Sequence, residues 1–173
     1  MVITVLLACI RILDPFFIET ARLKGLDYYQ NKQDKVKSEN IAIIEIDEDS
    51  LDEYGQWPWK RDLIAQGIIK AYESGAQLVV VPILFAEKDR LGGDQELIDL
   101  LAEAPVIIGQ SASTKGKGKP VPRGLATIGE SLDGWLYDYP EAIGPVKELG
   151  EVAAGVGMIL TAPELDGVVR KCL

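Results

Sequence analysis

Residues 41–61 read IAIIEIDEDSLDEYGQWPWKR, and this stretch decides how the rest of the chain is parsed. The run Ile41–Ile46 is short and rich in β-branched residues, the pattern of a strand buried in a sheet, and it ends at Asp47. Ser50 followed by Glu53 has capping-box spacing, so one helical turn over LDEY, closed by Gly55, is expected next. Past GQWPW, residues 61–74 place Ile64, Ile68, Ala71 and Tyr72 on one helical face, and Gly75 stands where that helix should stop. The almost unbroken apolar run QLVVVPILF follows. Strand, helix, strand predicts a right-handed parallel crossover onto a strand covered on both faces. Pro82 cannot donate to a ladder, so pairing in this second strand is expected to end near Val81 or to lie at an edge.

Working outward, Asp94 is placed to cap a helix running through Leu101, and PVIIG reads as a third short strand. VAAGVGMIL suggests another strand, and Leu165-Asp166-Gly167-Val168 a turn. Between them SASTKGKGKPVPRG has neither periodicity nor core residues and reads as an exposed excursion. Its TKGKGKP is not a phosphate-binding loop, because Pro120 follows Gly118-Lys119 where Ser or Thr is needed and no helix-forming run comes after. Upstream, FFIETARLKGLDYYQ is compatible with a helix despite Gly25, and NKQDKVKSEN with a polar loop. The expected fold is α/β: a mixed, largely parallel sheet flanked by helices, in a single domain with an N-terminal helix.

The first eighteen residues are almost wholly apolar, but Arg11, Asp14 and Pro15 interrupt them. About ten clean residues remain where a spanning helix needs about twenty. The trailing end of a transmembrane helix and an amphipathic helix packed on the domain both fit. The first divides the chain into residues 1–30, an apolar helix ending a membrane segment, and residues 31–173, the α/β domain.

A chain of 173 residues can bury a sizeable core without disulfides or structural metal. Its net charge of −9 argues against a nucleic-acid partner. The absence of histidine removes Ser-His-Asp and Cys-His nucleophile systems, and two cysteines at opposite ends, Cys9 and Cys172, cannot complete a zinc shell. The two read as free thiols, with a Cys9–Cys172 disulfide as the alternative.

The segment 41–61 resembles the signature of CHASE-type sensors of the second class, whose pattern is a strand ending in an acidic pair and Ser-Leu, then Gly-x-Trp-Pro-Trp-x-Arg. Here those positions are Asp47, Glu48, Ser50, Leu51, Gly55, Trp57, Pro58, Trp59 and Arg61. ARLKGLDYY, with Arg22 and Asp27, is similar to the helix just outside the family's first membrane span. SGAQLVVVPILFAEKDRLGGDQEL and GVGMILTAPELDGVVRK are similar to later family segments in the same order. The chain departs at Pro82, where the family usually carries Asp, and it stops soon after Arg170, where the family domain continues. The resemblance implies a truncated extracytoplasmic sensory input domain of a bacterial transmembrane receptor. Such a domain would be membrane-anchored and homodimeric. It would relay a small-molecule or physical stimulus to a kinase or nucleotide cyclase in the same full-length chain, without being an enzyme. Neither a cofactor nor the stimulus is specified.

The residues themselves leave several roles open. Asp47, Glu48 and Asp49 follow a strand end, where open α/β sheets bind ligands, and with Asp89 or Asp94 they offer oxygen ligands to Mg²⁺ or Ca²⁺. Equally, Asp47 can accept backbone N–H groups while Glu48 and Asp49 stand in water at a helix start. Trp57 and Trp59 can wall a ligand or seal a loop over the core, with Pro58 stiffening either arrangement. Arg61 is expected to pair with Asp47 or Asp49, as a structural bridge or an anion clamp. Two competing functions are a metal-assisted phosphohydrolase using Asp47 and Asp49, and a dimerisation module without ligand.

Overall fold

The computed structural model describes residues 16–34, 37–114, 139–160 and 166–169. Their contacts divide them into two units, one within residues 1–45 and 162–172 and one within 46–161.

In the first unit, helix α1 (Phe16–Lys32) runs through Gly25 without a break, as expected. Arg22 holds Glu19 one turn back through two hydrogen bonds, at 2.5 and 2.8 Å. The expected turn at Asp166-Gly167 is present: Gly167 has φ +80°, and the Val168 N–H donates to the Asp166 carboxylate at 3.2 Å. Residues 1–15, most of the lysine-rich excursion and Arg170 lie outside the described residues. Among the described residues no helix is long and apolar enough to cross a membrane.

The second unit is the α/β domain. Its elements run α2 (Glu48–Tyr54), α3 (Arg61–Glu73), β1 (Val79–Leu84), α4 (Asp94–Glu103), β2 (Val106–Ser113), β3 (Glu141–Ile143), α5 (Lys147–Val152) and β4 (Gly155–Met158). Strand β2 is central: β1 and β4 pair with it in parallel and β3 pairs antiparallel with its last three residues. The sheet is therefore mixed and largely parallel, with helices α3, α4 and α5 packed around it. Apolar runs become core where two layers meet. Leu97 and Leu101 of α4 and Leu149 of α5 close over Val106 and Ile108 of β2, all five nearly inaccessible. Each such side chain contributes about 1.5–3 kcal/mol by leaving water.

Local chemistry explains the boundaries. The β1–β2 register is regular from Val79 to Val81 and shifts before Leu84, where Pro82 offers no N–H. Gly75 ends α3 with φ +99°. The cap of α4 is Gly93, not Asp94, and Asp94 is the first helical residue. Gly93 has φ +98°, and a Cβ there would stand 2.5 Å from the backbone nitrogen of Asp62, so only glycine lets the starts of α3 and α4 approach so closely.

Ile41–Ile46 does not form the expected strand: among the described residues the run has no ladder partner, and Ile43 is 90% exposed. β-branched residues favour extended backbone, but a strand needs a neighbour for its N–H and C=O groups, and none of the described strands supplies one. The parallel crossover falls one unit later, as β1–α4–β2. Amide exchange by mass spectrometry checks this arrangement. Rapid exchange across 41–46 is expected beside slow exchange at Val106–Gln110, and equal protection of both would show the isoleucine run in a ladder.

Candidate functional site

Arg61 is the most buried charged residue of the described chain, at 6% exposure, and opens α3. Its guanidinium donates to the Asp94 carboxylate and to the Glu87 carbonyl, and it lies 5.2 Å from the Phe85 ring centroid. The Arg61 backbone N–H, one of the orphan donors of a helix start, donates to Asp89 Oδ2 at 2.8 Å. The Asp89 N–H in turn donates to Asp94 Oδ2 at 3.1 Å. Arg61 thus pairs with Asp94 rather than with the expected Asp47 or Asp49. A cation at a helix N-terminus opposes the macrodipole, and the carboxylate of a neighbouring helix start relieves that conflict better than a solvated one.

The acidic run is occupied differently. Asp47, not Ser50, is the N-cap of α2: its Oδ1 accepts from the Ser50 N–H at 2.9 Å and from the Ser50 hydroxyl at 2.6 Å. Those two bonds, the hydroxyl first, hold the Asp47 carboxyl below the usual carboxylate range. Glu48 and Asp49 sit exposed in the first turn, where their charge suits the helix dipole. Among the described residues no three acidic or thiol side chains gather to hold a metal ion.

The aromatic residues form a cluster in which Trp59 is half-buried between the more exposed Tyr54 and Trp57. Trp59 meets Tyr54 at 5.6 Å and Trp57 at 5.8 Å between centroids, both edge to face. The Trp59 indole N–H donates to the Gly55 carbonyl at 2.6 Å, which fixes the ring across the end of α2. The Trp57–Pro58 peptide is cis. The Tyr54 phenol donates to the Glu53 carboxylate, and that bond and the carboxylate's charge push it above its ordinary value. Tyr54 and Trp59 form one wall of a cleft of about 170 Å³ whose other side is Leu63, Gln66, Gly67 and Lys70 of α3.

The structure therefore joins Arg61 with Asp94, and Trp57 with Trp59, but brings neither pair to Asp47. Sequence reasoning passed over Tyr54, Gln66, Gly67 and Lys70. Gly67 carried the one available signal, since a glycine inside a helix costs about 1 kcal/mol relative to alanine.

Two measurements follow from this geometry. Asp94→Ala strands the Arg61 guanidinium and is expected to cost about 3 kcal/mol in urea denaturation. Arg61→Lys, without the planar fork that serves two acceptors, should recover only part of the wild-type midpoint. The Asp47 carboxyl is depressed in the folded chain, so its contribution is present above its unfolded value and fades as pH falls through the folded one. Asp47→Ala should then destabilise at neutral pH and lose that effect in acid. An effect undiminished in acid would show that the carboxylate charge does not hold α2.

Among curated proteins and among solved structures nothing matches the chain. A family model does, over residues 2–173, and its description is the CHASE2 domain. The chain belongs to the CHASE2 family, a family of extracellular, non-catalytic sensory domains.

Proposed function

We propose that this domain is the extracytoplasmic input module of a bacterial transmembrane receptor, relaying a stimulus to a cytoplasmic kinase or nucleotide cyclase. The observation that carries the reading is the family match across residues 2–173. An input domain works by having two arrangements whose balance a stimulus shifts, and a stimulus shifts that balance only by its differential affinity. The Arg61 bracket supports such a role because it links the starts of α3 and α4 to the loop after β1, so that a displacement of one is felt by the others.

The test uses the full-length receptor in intact bacteria. An alkaline phosphatase reporter inserted in the exposed Ser38–Asn40 stretch should be active, since that enzyme matures only outside the cytoplasm. Arg61→Ala should shift the basal kinase or cyclase rate without changing the rate of the isolated output domain. An inactive reporter, or an output indifferent both to Arg61→Ala and to removal of residues 46–161, would overturn the proposal.

A further inference from the structure

The cleft beside the Trp-Pro-Trp segment has features that packing alone does not explain. Leu63, Gln66, Gly67 and Lys70 recur at three- and four-residue spacing, so they form one stripe of α3 facing Tyr54 and Trp59. Gly67 lies in the helix interior, where it costs stability, yet a Cβ placed on it would meet no atom within 4 Å. No described neighbour needs the missing side chain. What its absence leaves is the open floor of the cleft.

The walls specify an occupant. Trp59 spends its N–H on Gly55, so its ring offers the cleft π surface rather than a donor. Tyr54 adds a second ring, set edge to face at 62°. The polar groups are the Tyr54 hydroxyl, engaged by Glu53, the Gln66 amide and the Lys70 ammonium, which makes no ion pair among the described residues. In a chain of net charge −9, Lys70 gives the cleft a cation, and the Glu53 carboxylate that adjoins Tyr54 is already engaged by that residue's hydroxyl. Its volume is about 170 Å³ and it is open to solvent along one side, which leaves room for one small ring laid against the aromatic wall.

We propose that this cleft binds a small aromatic carboxylate, with its ring over Gly67 against Tyr54 and Trp59 and its carboxylate on Lys70. The proposal rests on the sensory reading and deepens it by naming the class of stimulus. Benzoate and phenylacetate represent that class. Their amides keep the ring and remove the charge.

The test is an NMR titration of the full 173-residue chain, following the Trp59 indole N–H and the Gly67 amide. Benzoate or phenylacetate should shift both resonances saturably, with Kd on the order of a millimolar for a ligand of this size. The amides should bind about fivefold more weakly, and Lys70→Met should remove that difference, as fits an exposed ion pair. Gly67→Leu should abolish binding while the chain stays folded, because leucine is the better helix former; Gly67→Ala and a thermal melt of each variant verify the fold. Shifts that do not saturate, acid and amide binding alike, or binding that survives Gly67→Leu in a folded chain would each overturn the site. Those results would leave the sensory reading standing, since that reading is judged by receptor topology and output.

Discussion

The guanidinium of Arg61 holds together three pieces of chain that the sheet alone would leave independent. It lies where α3 begins, reaches the carbonyl of Glu87 in the loop after β1, and pairs with Asp94 where α4 begins. The electrostatics close locally. Two helix N-termini, each equivalent to about half a positive charge, and one guanidinium face the carboxylates of Asp89 and Asp94. Removing a guanidinium from water is costly, and the arrangement offsets this with a second acceptor at Glu87 and the Phe85 ring face. Gly93 completes the geometry, because any side chain there would collide with the start of α3.

With that junction fixed, the rest of the domain follows from layering. β2 collects β1, β3 and β4, and α4 and α5 close over it through Leu97, Leu101 and Leu149. The Val146 N–H donates to the Phe85 carbonyl at 2.8 Å, which ties the start of α5 to the end of β1. The ring that faces Arg61 and the carbonyl that anchors α5 therefore belong to one residue. The junction and the core share Phe85, so loosening one disturbs the other.

Much of this was legible from local signals, because local signals have local causes. Pro82 marked where the β1 register shifts, Gly75 where α3 stops, and the spacing of Ile64, Ile68 and Tyr72 its inward face. What sequence left open was the choice of partner. Ile41–Ile46 has the composition of a buried strand, but composition cannot supply a neighbour. Ser50 and Asp47 are both competent caps, and the charged side chain of Asp47, which accepts from both the Ser50 N–H and hydroxyl, won. Arg61 was expected to pair with Asp47 or Asp49, and the approach of two helix starts, permitted by Gly93, gives it Asp94 instead.

Helix α3 is the element in which these constraints meet. Arg61 fixes its start, Ala65 and Ile68 its buried side, and the stripe from Leu63 to Lys70 lines the aromatic cleft. A ligand seated there would act on a helix already held at one end and along its inner face. Large displacement is thereby opposed. A small ligand with a few ring contacts and one exposed ion pair discriminates weakly between two arrangements, whereas moving a population from one extreme to the other needs about 10⁴-fold discrimination. A domain read through this cleft must therefore sit near balance between its states before the ligand arrives, with the Arg61 junction setting where that balance lies.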